Sequence, residues 1–139
     1  MGRILAIDYG SKRVGLAVTD PLKIIATALD TVSARDVLNY LRKYTENEKV
    51  EVFVVGLPKN LDNSDAESMR YVKPFAEQLK RKFPDIPIVW IDERFTSKIA
   101  FRAMIDGGMK KSDRRKKENI DKLSAVVILQ SYMETIKNE

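Results

Sequence analysis

The 139-residue chain carries 44% hydrophobic and 32% charged residues and a formal charge of +5, the balance of a water-soluble domain long enough to bury a core without cross-links. It contains no cysteine and no histidine, which excludes disulfides, thiolate zinc sites, cysteine nucleophiles and imidazole bases. Any catalysis must therefore run on carboxylates, hydroxyls, lysine or tyrosine, and a metal held by oxygen alone is expected to be a hard ion, Mg2+ or Mn2+.

Apolar runs at 3–9, 14–19 and 23–30, separated by turn signals, predict three consecutive strands paired as an antiparallel meander, the first two joined by the tight turn "YGSKR". Behind a Ser33 cap, Val37, Leu38, Leu41 and Tyr44 recur at helical spacing and predict a helix to about residue 47. "VEVFVVGLP" is a continuous apolar run, as a strand covered on both faces requires. The polar stretch "KNLDNSDAES" reads as a loop. Met69, Val72, Ala76, Leu79 and Phe83 then step along one face of a second helix, and "DIPIVWI" is another buried strand ending at "DER".

Thr96 or Ser97 caps a third predicted helix through Ile99, Ala100, Ala103 and Met104, ended by Gly107-Gly108. The basic segment "MKKSDRRKKEN" leads into a last helix expected over 118–137. No stretch is apolar for long enough to span a bilayer, and Met1-Gly2-Arg3 runs directly into a strand, so a cytoplasmic protein without a membrane partner is expected. The whole chain, 1–139, reads as one α/β domain: a mixed five-stranded sheet with helices on both faces.

The strands near 3, 50 and 87 are the ones joined through helices and should run parallel, and ligands bind outside the carboxyl ends of such strands. Asp8 ends the first of them and Asp92-Glu93 the last, so these acids should meet on one rim. Asp121 begins a helical row continued by Ala125, Ile128 and Tyr132, and the small Ser124 and Ala125 would let that first turn approach the sheet. Gathered carboxylates repel one another, and a divalent ion resolves the conflict. Two ions about 3.5–4 Å apart could activate water and stabilise a leaving oxygen without histidine. Each acid also has a simpler reading: Asp8 as a turn residue, Asp92-Glu93 as a helix cap or a partner of Arg94, Asp121 as a first-turn acid favoured by the helix dipole.

"AIDYGSKRVGLAVTD", "VVGLPKNLDNS", "WIDERFTS" and "IDKLSAVVILQ" closely resemble, in order and spacing, the four motifs of the YqgF/RuvX family, and the resemblance covers essentially the whole chain. These are ribonuclease H-like proteins described as Holliday junction resolvases and as nucleases maturing the 5′ end of the small-subunit ribosomal RNA precursor. The resemblance implies a ribonuclease H-like fold and metal-dependent phosphodiester hydrolysis by an acidic cluster on Asp8, Glu93 and Asp121, with Asp92 the lesser candidate. It also implies a structured nucleic acid as partner, either RNA within ribosome assembly intermediates or branched DNA.

Lys110, Lys111, Arg114, Arg115, Lys116 and Lys117 cluster ahead of Asp121, where they would hold phosphates near the acids. Lys12, Arg13, Lys59, Asn60 and Arg94 would extend that basic rim, while Tyr9 and Phe95 are candidates either for stacking on bases or for packing. Two other functions compete. The first motif is also how actin-like ATPases and sugar kinases begin, although those need a second comparable domain; and a non-catalytic nucleic-acid-binding module would use the basic segment alone. A junction resolvase normally acts as a dimer, whereas RNA trimming needs one site, so the expectation is a monomer or a weak homodimer.

Overall fold

The computed structural model describes residues 2–58, 67, 69–93 and 114–137, with 114–120 described by their backbone only. Five strands, β1 (Arg3–Tyr9), β2 (Arg13–Thr19), β3 (Ala26–Ser33), β4 (Val50–Leu57) and β5 (Ile88–Asp92), form one sheet in the order β3-β2-β1-β4-β5. β1, β2 and β3 pair antiparallel, and β1, β4 and β5 run parallel, as the sequence pattern predicts. Three helices are described: α1 (Val37–Asn47), α2 (Met69–Lys82) and α3 (Arg114–Lys137). The expected helix after Thr96 lies outside the described residues.

Side-chain alternation along the central strands divides the interior into two layers. Leu5, Ile7, Leu16, Phe53 and Val55 point to one face and bury Val37 and Leu41 of α1 with Val72, Phe75 and Leu79 of α2. Ile4, Ala6, Ala17 and Val54 point to the other and meet Ala125, Ile128, Leu129 and Met133 of α3. That single helix touches every strand of the sheet.

Three boundaries differ from the sequence reading. β3 occupies 26–33 rather than 23–30, because Asp20 draws residues 22–25 into a turn: its carboxylate accepts the backbone N–H groups of Leu22, Ile24 and Ile25 at 3.1, 2.8 and 2.8 Å. Lys23 completes the turn at φ 60°, the left-handed region. Ser33 consequently ends a strand and does not cap α1; the N-cap is Asp36, whose carboxylate accepts the Ser33 hydroxyl at 2.8 Å. Finally, α3 is already helical at Arg114, ahead of the expected 118, so the basic run enters the helix itself.

Candidate active site

Asp8 is the last residue of β1 to face α3, since it follows Ile4 and Ala6 at steps of two. Only 8% of its surface is exposed. Its neighbours in the sheet are glycines. Gly15 of β2 is paired with Asp8 directly, and the β1–β4 register, last paired at Ile7 and Val55, brings Gly56 to the opposite side when continued by one residue.

Both glycines are needed for space. A Cβ on Gly15 would overlap the backbone carbonyl of Asp121, so the first described turns of α3 rest on β2 at this point. A Cβ on Gly56 would stand 2.8 Å from Glu93 Oε1 and 2.8 Å from Ile128 Cδ1. The floor beside Asp8 is therefore bare on both flanks: the backbone of Asp121 comes down over Gly15, and the carboxylate of Glu93 lies over Gly56. The two obstructions differ in stiffness, because the tip of a glutamate or isoleucine can swing aside and a helix backbone cannot. The sequence reading invoked the small Ser124 and Ala125 on the helix side but missed these two strand glycines; a glycine inside an apolar strand run is itself the signal of close approach.

Alternation also separates the two adjacent acids at the end of β5. Ile91 packs in the α3 layer and Ile88 in the α1–α2 layer, so Asp92 falls on the α1–α2 side while Glu93 lies over Gly56. Asp8, Glu93 and Asp121 thus occupy one face of the sheet, and Asp92 does not share it.

Asp121 is 7% exposed, and its Oδ2 accepts a hydrogen bond from Arg13 Nε at 2.8 Å across 108 residues of chain. This charge-assisted bond from a guanidinium to a nearly buried carboxylate supplies part of the compensation that the sequence alone assigns to a divalent ion. Arg13, expected to touch nucleic acid, is here the partner of an acid. Lys12 is exposed beside it and ties the hairpin to the turn between β3 and α1 through its carbonyl, which accepts the N–H of Ala34 at 2.9 Å.

Arg114, Arg115, Lys116 and Lys117 lie in the opening turns of α3, ahead of Asp121. Lys59, Asn60, Arg94, Phe95, Lys110 and Lys111 lie outside the described residues. Tyr9 is a packing residue: its ring stacks on Phe75 with centroids 4.3 Å apart, on the α2 side and away from the acids, and burial raises the pKa of its hydroxyl.

Among the described residues no three acids form a closed set of metal ligands. The donor chemistry nevertheless fits a hard divalent ion: carboxylates only, beside two strand positions, Gly15 and Gly56, that carry no Cβ, in a chain with no imidazole or thiolate to favour a softer metal.

A mixed five-stranded sheet in this strand order, an antiparallel meander extended by two parallel strands and covered by helices on both faces, is the ribonuclease H-like fold. The solved structures it resembles agree. Thermus thermophilus RuvC in complex with a Holliday junction substrate is 16% identical, with a TM-score of 0.56 over 99% of this chain and 96% of that one. Fowlpox virus resolvase in complex with Holliday junction DNA is 14% identical, with a TM-score of 0.54 over 96% and 98%.

The model of the RuvX family, described as Holliday junction resolvase, matches residues 2–135, and the chain belongs to that family. It is 54% identical over 137 residues to a Phocaeicola vulgatus protein, covering 99% of both chains. It is also 54% identical over 134 residues to one from Porphyromonas gingivalis, covering 96% and 97%. The provisional name of both is pre-16S rRNA nuclease.

Proposed function

We propose that this protein is a metal-dependent nuclease that hydrolyses phosphodiester bonds in structured RNA, and that its substrate is the 5′ end of the small-subunit ribosomal RNA precursor within a cytoplasmic ribosome assembly intermediate. The observation that carries the reading is the pair of bare flanks around Asp8, which lets Glu93 and Asp121 approach the same face. Membership of the RuvX family and the names of relatives at 54% identity support it. Among the described residues no helix is long and apolar enough to cross a membrane.

Asp8, Glu93 and Asp121 would hold Mg2+ or Mn2+, in a two-ion site, and a bound divalent cation supplies Lewis-acid polarisation of the phosphate. The chain's own contribution is positional. β1 and the end of β5 fix two carboxylates on the sheet, and Gly15 seats α3 so that the third arrives from above. Arg114 to Lys117, in the turns just before Asp121, would draw phosphates towards those acids and make binding fall steeply with salt. Holliday junction cleavage is the second reading, favoured by the family's description; it uses the same acids and adds the need for a dimer.

The deciding experiment offers the purified protein a leader-carrying precursor RNA and a four-way DNA junction, each with Mg2+, Mn2+ or EDTA. The expected result is a mapped cut at the 5′ end of the mature RNA that needs a divalent ion. Asp8→Asn and Glu93→Gln should each lower the rate by more than about 100-fold, beyond the losses seen when residues that merely support metal ligands are removed. A cleavage rate equal to the parent's in either variant, or full activity in EDTA, would overturn the assignment. Paired symmetric cuts in the junction with intact RNA would move it to the second reading.

A further inference from the structure

The sole tryptophan, Trp90, sits in the sheet's edge strand and is 37% exposed, although an indole is among the most valuable side chains to bury. It lines a groove of about 410 Å³ between β5 and α2, floored by Ala76, Pro87 and Ile88 and rimmed by Lys73, Lys80 and Glu77. Helix α2 carries five cations, Arg70, Lys73, Lys80, Arg81 and Lys82, against the one acid Glu77. That acid is shared with Arg81, 4.0 Å away, which offsets its repulsion of an anion in the groove. A flat aromatic face, an apolar floor and a basic rim are the combination that holds single-stranded nucleic acid: bases stack while phosphates find the cations.

We propose that this groove is a second nucleic-acid subsite, in which an unpaired base stacks on Trp90 and its flanking phosphates sit on Lys73 and Lys80. The inference rests on the reading of the protein as acting on nucleic acid, and it adds where the strand goes away from the acids. Trp90 is three residues from Glu93, about 10 Å along the strand, and lies on the opposite face. Because β5 is an edge strand, a polynucleotide passing round it can engage both faces. At about 3.4 Å per nucleotide of a stacked strand, the offset along β5 alone spans roughly three nucleotides, and the passage round the edge adds to that number. A substrate with an unpaired extension is thereby favoured over a blunt duplex.

The lone tryptophan makes the test direct. An unlabelled oligouridylate is titrated into the full protein in EDTA, which prevents cutting, while Trp90 emission is followed; binding of a labelled copy is followed in parallel by anisotropy. The expected result is saturable quenching that tracks the anisotropy. In the Lys73→Ala/Lys80→Ala double variant, the log–log salt slope should shrink by about 1.4, two phosphate contacts' worth. Trp90→Ala should weaken binding by about tenfold or more, with Trp90→Phe retaining most of the affinity. Binding by anisotropy with unchanged Trp90 emission, or an unchanged salt slope in the double variant, overturns the subsite and leaves the nuclease reading standing. Equal quenching by an acidic peptide reassigns the groove to protein recognition and overturns the proposal. Absence of binding to this RNA and to structured RNA at low salt overturns both the subsite and the reading beneath it.

Discussion

The two faces of the sheet are packed on different principles. The α1–α2 face is filled with bulk: Phe53, Leu5, Ile7, Leu16, Val55 and Leu79 are fully buried, and the rings of Phe53 and Phe83 meet edge to face with centroids 5.4 Å apart. The α3 face also buries Ile128, Leu129 and Val54, but it sets Ala6, Ala17, Gly15, Gly56, Ser124 and Ala125 among them, and it alone carries the two buried acids Asp8 and Asp121. Large side chains hold elements apart and give stability through buried area. Small ones let a helix backbone come down onto a strand, which is how a polar group is carried into a nearly buried position. The first face should therefore govern stability and the second should govern activity.

The largest expected effect on stability is on the bulky face. Phe53→Ala removes a fully buried ring and should cost about 3–5 kcal/mol in a denaturant titration, while the cleavage rate per folded molecule stays near the parent's. Equal damage to activity would erase the distinction between the faces. Gly15→Ala should reverse the pattern. Its methyl group meets helix backbone, so overpacking should cost about 1–3 kcal/mol, with a loss of cleavage larger than the unfolded fraction explains. Gly56→Ala, which meets only side-chain ends, should be milder in both measures.

The Arg13–Asp121 bond sharpens the comparison further. Arg13 is 45% exposed, so Arg13→Gln should change stability by no more than about 1 kcal/mol. With its guanidinium gone, a competitor for the Asp121 carboxylate is removed, and Mg2+ or Mn2+ should bind more tightly in a calorimetric titration; an unchanged affinity would show that Arg13 does not compete with the ion.

The smallest effect belongs to the turn at the far side of the sheet. Hydrogen bonding from the backbone of Ile25, Ile24 and Leu22 lowers the Asp20 pKa. A depressed carboxylate stabilises the fold above its unfolded pKa, and that contribution fades as pH falls through the folded value. Asp20→Asn should lower the thermal midpoint slightly at neutral pH and flatten its decline in acid, leaving cleavage untouched.

Much of this was legible in the linear pattern. The apolar runs identify β1, β2 and β4, the helical spacing identifies α1 and α2, and the alternation of helix and strand identifies which strands run parallel. Asp8 and Glu93 could be placed on one rim because strand ends in a parallel sheet share an edge, which is a property of topology. Hydropathy starts β3 too early because Ile24 and Ile25 look like strand residues, and the two backbone hydrogen bonds to Asp20 that hold them in the turn leave no trace in it. Periodicity reaches α3 only near 118, because a basic run with no apolar face hides the helical turns from Arg114 onwards.

By itself, the order of residue types determined the class of fold, the absence of imidazole and thiolate chemistry, and the acids available for a site. Only tertiary structure decided which of them share a face. A strand's side chains alternate, so a single residue of register puts Asp92 and Glu93 on opposite sides of the sheet. A helix can lie on a strand only where no Cβ intervenes, so Gly15 decides where Asp121 arrives. The bond from Arg13 to Asp121 joins two positions 108 residues apart, and nothing local could announce it.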